Sequence, residues 1–158
     1  MDAVIRNLLW LTLFLLLALA AGVAWKAWPL LFAQGDLVAQ VDPGCDLHSG
    51  PCAARLDGLG KVTLSLQPRP LQMLTPLQIE VTLDGVEAQT VEIDFQGVEM
   101  FMGYNRRELA GDGVGRYRGE GTLPICVSDG MTWQATVLAT TREGLLAAPF
   151  QFYIERPR

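Results

Sequence analysis

Apolar residues follow two regimes along the chain. From Leu8 to Trp25, LLWLTLFLLLALAAGVAW runs eighteen residues without a charge, and after Lys26 the block continues through AWPLLFA to Ala33. About 20 apolar residues in a helix span the hydrocarbon core of a bilayer. Trp10, Trp25 and Trp28 fall near the ends of the block, where indoles favour the headgroup region. Residues 1–33 are therefore expected to form one transmembrane anchor. The alternative is a signal peptide cleaved after Ala20 within ALAAG. The block outruns the roughly 7–15 residues of a signal core, which favours the anchor.

Past the anchor, apolar positions recur every second residue, the period of a half-buried strand. KVTLSLQ places Val62, Leu64 and Leu66 on one face; PLQIEVTLDG does the same with Leu77, Ile79, Val81 and Leu83, and TVEIDFQG with Val91, Ile93 and Phe95. Near the C-terminus, TWQATVLAT alternates through Trp133, Ala135, Val137 and Ala139, and APFQFYIE through Phe150, Phe152 and Ile154. Turn residues separate these runs, including Asp84-Gly85 and the glycines of AGDGVGR ahead of RYRGEGTL. About seven strands with no helix after the anchor predict an all-β domain, an immunoglobulin-like antiparallel β-sandwich, over residues 61–158. Residues 34–60 show no sustained period and carry Gly44, Gly50, Pro43 and Pro51; they are expected to be a linker and lead-in loop.

One segment breaks the parity. In TVEIDFQGVEMFMGY the buried positions are odd up to Phe95, whereas Val98, Met100, Met102 and Tyr104 are even. Gly97 is expected to mark a bulge or short turn at which the register changes. Met100 and Met102 would then share one strand face.

Charge and composition narrow the function. The net charge is −5 and Arg106-Arg107 is the one basic pair in the domain, which argues against nucleic-acid binding. With His48 as the single histidine, no histidine-based triad or multi-histidine zinc site can be assembled. Glu92, Asp94, Glu99 and Glu108 fall on polar strand faces or loops, where solvation is the expected role. The chain is not expected to be an enzyme. Cys45 and Cys52 bracket the short polar loop CDLHSGPC, which suits a local disulfide in an oxidising compartment, with free thiols or a metal-binding dithiol as alternatives. Cys126 is then left over.

The remaining candidate chemistry is soft sulfur. Met100, Met102, Cys126 and Met131 lie in EMFMGYN and LPICVSDGMTW, and neighbouring sandwich edges could bring them together as Cu(I) donors, since thioether and thiolate ligands select that ion. Packing is the competing role, because methionine fills core gaps and free cysteine is commonly buried. His48 is a weaker additional ligand. Separately, Tyr104, Asn105, Arg106 and Arg107 form an expected exposed polar strip of the composition that suits an interface.

The anchor, the strands PLQIEVTLDGVEAQTVEIDFQG, the segment MFMGYNRREL and the run GVGRYRGEGTLPICVSDGMTWQATV together resemble the FixH/YtkA-like group of bacterial proteins, over roughly residues 61–155. Met100 and Met102 match that group's methionine segment. The resemblance implies a single-pass protein of the bacterial inner membrane with its C-terminal domain in the periplasm. It implies an accessory role in copper handling or in assembly of a haem–copper oxidase, with that oxidase or a copper-trafficking protein as partner. The alternative expectation is a metal-free interaction module that docks on an inner-membrane complex.

Overall fold

The structure is a computed structural model that describes residues 2–31, 36–124 and 129–155. It contains two compact units, Met1–Gln34 and Gly35–Arg158.

The first unit is helix α1, Asp2–Leu31. Leucine and alanine dominate it, and both lose little conformational freedom in a helix. Its window Ile5–Lys26 has a mean hydropathy of 2.3 and is exposed on every side. A helix that is apolar all round has no stripe to bury against a soluble core. Its 22 residues measure about 33 Å at ~1.5 Å per residue, enough to cross a membrane. The hydroxyl of Thr12 donates to the carbonyl of Leu9 at 2.9 Å, so this polar group carries its own partner within the helix.

The second unit is a sandwich of two sheets built from β1 (Leu37–Val38), β2 (Gln40–Val41), β3 (Cys52–Leu56), β4 (Gly60–Gln67), β5 (Leu77–Asp84), β6 (Thr90–Gly97), β7 (Arg106–Glu108), β8 (Ala110–Gly111), β9 (Arg116–Gly121), β10 (Gly130–Thr140) and β11 (Leu145–Glu155). One sheet has the order β1-β11-β10-β6-β7 and the other β2-β3-β4-β5-β9-β8. The strands β4-β5-β9-β8 and β11-β10-β6-β7 reproduce the A-B-E-D and G-F-C-C′ sheets of an immunoglobulin-like sandwich, with the chain crossing between sheets after β5, after β7 and after β9. The period-two residues meet at the centre: Val62, Leu64, Leu66, Ile79, Val81, Ile93, Phe95, Trp133, Val137 and Phe150 are all buried.

Residues 36–60, expected as linker and lead-in loop, belong to the sandwich. Leu37 and Val38 pair in parallel with Leu146 and Ala147, and β3 adds an antiparallel strand alongside β4 through Cys52↔Leu64 and Ala54↔Val62. Cys52, Ala54 and Leu56 do alternate inward. Alanine at the middle position and two-residue strands leave too weak a pattern to register as apolar periodicity.

Cys45 and Cys52 are joined as a disulfide with a Cα–Cα separation of 5.4 Å. It closes the loop whose Leu47 side chain is fully buried in the core. Cys45→Ser opens a loop of sequence separation 7 and is expected to lower unfolding free energy by about 2–3 kcal/mol in denaturant titration. An unchanged midpoint would show that the β3–β4 pairing holds this loop without the bond.

Candidate functional site

The site lies at one end of the sandwich. β10 and β11 meet at Thr140↔Leu145 near Leu37, where the chain joins the sheet; at their opposite end Gly130 pairs with Glu155. The β6–β7 connection, residues 98–105, and the connection following β9 both belong to that far end. It stands roughly 35 Å from Leu37, given the 11 residues of β10 at about 3.4 Å each.

Segment 98–105 is a loop and not a strand. The β6–β10 ladder runs to Gly97↔Trp133, and the N–H of Val98 still donates to Thr132 O at 2.9 Å. The reciprocal ladder bond would take the Thr132 N–H; the Glu99 carboxylate accepts it instead, at 3.0 and 3.2 Å. Pairing therefore stops there, and Gly103, at φ +84, turns the chain back toward β7 in a conformation that favours glycine. Hydrogen bonding from Thr132, its side chain foremost and its N–H less, also holds the Glu99 carboxyl below its ordinary range. At the other end of the loop, Asn105 Nδ2 donates to Thr122 O at 3.0 Å and Asn105 O accepts from Phe95 N at 3.0 Å. Both ends of the loop are thus fastened to the sandwich.

This geometry divides the expected sulfur ligands. Met100 and Met102 do not share a strand face: Met100 is exposed, while Met102 packs against the core. Met131, at 2% exposure, is a core residue of β10. Met102 and Met131 both lie against Gly97. An added Cβ at Gly97 would lie 3.1 Å from Met102 Cγ and would collide with Met131 Cε, so the two thioether side chains close over this glycine. Cys126 lies outside the described residues. EMFMGYN is joined to LPICVSDGMTW by the Glu99–Thr132 bond, and Asn105 bonds to Thr122, the residue just ahead of the second segment.

His48 is not near these sulfurs by any bond in the structure. Its ring lies between Tyr153 O, 2.8 Å from Nε2, and the Leu71 N–H, 3.3 Å from Nδ1. Among the described residues no group of three or more His, Cys, Asp or Glu side chains is arranged to hold a metal ion.

The expected polar strip also divides. Tyr104 and Arg107 are exposed and Asn105 is half-buried by its bonds. On the outer face of the β6–β7 pair Arg106 is half-buried and Asp94 buried, with side chains 10% and 6% exposed and Arg106 Nη2 3.5 Å from Asp94 Oδ2. That overturns both the expected exposure of Arg106 and the expected solvation of Asp94. Gln96 Nε2 donates to the same carboxylate at 2.9 Å, and the Arg106 guanidinium stands 5.5 Å from the centre of the Tyr104 ring. Asp94 Oδ1 and Arg106 Nε have no hydrogen-bond partner among the described residues. The parity of β6 shows that Asp94 faces out, but its cover comes from Arg106 across the pair, a tertiary effect that no sequence period carries.

Val98 and Phe101 are the residues missed from the sequence, and they join Met100 and Tyr104, already candidates, in one exposed group. Val98, Met100, Phe101 and Tyr104 are 50%, 41%, 84% and 66% exposed, and Leu74, in the β4–β5 connection, is exposed at the same end, where its N–H donates to Leu123 O. A run of large apolar side chains held in water on a fastened loop is the feature that marks interaction sites. The signal was present as the even-parity run Val98, Met100, Met102, Tyr104, but it mimics a strand. At the opposite end, Leu37, Leu59, Val86, Leu146, Glu87, Arg142 and neighbouring residues line a cavity of about 310 Å³.

No family model matches the chain, and no curated protein does. Among solved structures, the crystal structure of an engineered protein is 20% identical, with a TM-score of 0.44, and the match covers 63% of this chain and 20% of that one.

The adjacent arginines give a direct check on the site's electrostatics. Arg106→Ala strands a buried carboxylate and is expected to destabilise the domain by about 3–5 kcal/mol. Arg107→Ala, at an exposed position, should fall within about 0.5 kcal/mol of the parent protein. Chemical denaturation of both variants measures this, and equal effects would contradict it.

Proposed function

We propose that this chain is a membrane-anchored, non-enzymatic accessory protein whose sandwich docks on a protein partner in a membrane complex through the loop 98–105. The exposure of Val98, Met100, Phe101 and Tyr104 on a loop fastened at both ends is the observation that carries this reading. Burying a side chain such as phenylalanine contributes about 1.5–3 kcal/mol, and a loop already held in shape gives up little further entropy on binding. Helix α1 supplies the tether. The loop lies at the end of the sandwich away from Leu37. The resemblance to FixH/YtkA-like proteins favours a haem–copper oxidase of the bacterial inner membrane as that complex, with the domain in the periplasm.

A photo-crosslinking residue at position 101 in the membrane-bound chain is expected to yield a discrete protein adduct. The same residue at Val114, equally exposed at the other end of the domain, should yield none. Crosslinks at 101 to lipid alone, or equal adducts at both positions, would overturn the docking reading.

A second reading, Cu(I) handling, is favoured by the placement of Met102 and Met131 against the same residue, Gly97. Two thioether side chains lying against one glycine would suit a soft monovalent ion, with Met100 and Cys126 as the further donors expected from the sequence. The ion would be cargo for the partner complex. Competition with a Cu(I) chelator under reducing conditions is expected to show one bound ion, with affinity reduced at least about tenfold in Met102→Leu, a change of nearly equal volume. Wild-type affinity in a folded Met102→Leu protein would assign these sulfurs to packing.

A further inference from the structure

The single histidine of the chain sits where three segments meet, and each ring nitrogen faces a backbone group of fixed polarity. Nε2 lies 2.8 Å from the carbonyl oxygen of Tyr153 in β11, which can only accept. Nδ1 lies 3.3 Å from the N–H of Leu71 in the β4–β5 connection, which can only donate. Both contacts are satisfied by one form of the ring, the neutral tautomer with its hydrogen on Nε2. The ring also packs edge-on against Phe152, with centroids 6.4 Å apart and planes at 74°. His48 itself belongs to the loop closed by Cys45–Cys52.

We propose that His48 is a proton-sensitive clamp that joins the disulfide loop, β11 and the 71–74 segment, and that opens the last of these contacts when the ring is protonated. A proton on Nδ1 places one N–H against another, so the Leu71 bond is lost while the Tyr153 bond remains. Leu71 and Met73 are buried and Leu74 N donates to Leu123 O, so the freed segment borders the apolar end of the sandwich.

The surrounding charges are few. In the histidine's own loop, Asp46 accepts from His48 N at 2.9 Å and from the Ser49 hydroxyl. Those bonds, that of Ser49 foremost, hold its carboxyl below the usual range, so it stays ionised when histidine titrates. From the β4–β5 connection Arg69 approaches the same loop, with Nε 3.2 Å from Leu47 O and Nη2 3.0 Å from Ser65 Oγ. β11 contributes the Tyr153 carbonyl and the Phe152 ring. The Asp46 carboxylate is the acidic group of the ring's own loop, and the Leu71 bond requires an Nδ1 without a hydrogen. The Leu71 bond is therefore intact at high pH and lost as pH falls through the titration of the ring. Histidine rings change charge between about pH 8 and 5. The clamp is independent of the docking and copper readings.

Nitrogen-15 NMR of the full chain in detergent micelles tests the clamp. Long-range ¹H–¹⁵N spectra at pH 8 should show the Nε2–H tautomer. Between pH 8 and 5 the Leu71 amide shift should follow the ring's own midpoint, and its exchange protection should fall about fivefold once the hydrogen bond is gone. His48→Gln offers an amide donor and a carbonyl acceptor but does not titrate, so its Leu71 amide should stay flat across the range. An Nδ1–H tautomer at pH 8, a ring still neutral at pH 5, a Leu71 amide indifferent to ring titration, or a Leu71 shift that persists in His48→Gln would each overturn the proposal. The wild-type titration decides the question even if His48→Gln does not fold.

Discussion

What the sandwich presents to its surroundings depends on where one ladder stops. β6 and β10 pair without interruption from Thr90↔Thr140 to Gly97↔Trp133, and the next backbone N–H, that of Thr132, is taken by the carboxylate of Glu99. A side chain has replaced a main-chain partner. Had the ladder continued, Val98, Met100 and Met102 would have lain in a strand with their side chains on one face of the sheet. Because it stops, the chain folds into a loop that turns Met102 toward the core and leaves Val98, Phe101 and Tyr104 in water.

The same end of the domain is stiffened from several directions. Gly97 admits Met102 and Met131 where any Cβ would collide, and the buried Asp94–Arg106 pair sits directly beneath Tyr104. A buried ion pair with unpaired polar atoms is a poor source of stability in its own right. Its placement beside the loop is consistent with orienting Tyr104 and the start of β7. The disulfide loop, held through His48 to β11 and Leu71, closes another side of this end.

Much of the fold was legible because long strands repeat large apolar residues at period two: β4, β5, β6, β10 and β11 each do so, and the apolar helix α1 is visible from length and hydropathy alone. The disulfide could be read from a short polar loop. Legibility failed where the pattern was short, small or borrowed. β1, β2 and β3 rely on two-residue pairings and on Ala54, whose methyl carries little signal. The run Val98, Met100, Met102, Tyr104 obeys strand parity and still forms a loop, since Glu99 competes for the ladder. Arg106 reads as a surface cation until Asp94 is placed across from it, and His48 meets a carbonyl 105 residues away. The exposed apolar surface therefore overlaps the expected polar strip at Tyr104 and extends from it to Val98, Met100 and Phe101.

The central claim is that residues 98–104 form a preshaped apolar surface and not a mobile tail of the sheet. Backbone order parameters from ¹⁵N relaxation of the full chain in micelles measure this on the picosecond-to-nanosecond scale. The account predicts values for Val98 to Tyr104 near the ~0.85 of rigid backbone, matching β6 and β10. Values below ~0.6 across the loop, with β6 and β10 remaining rigid, would contradict it.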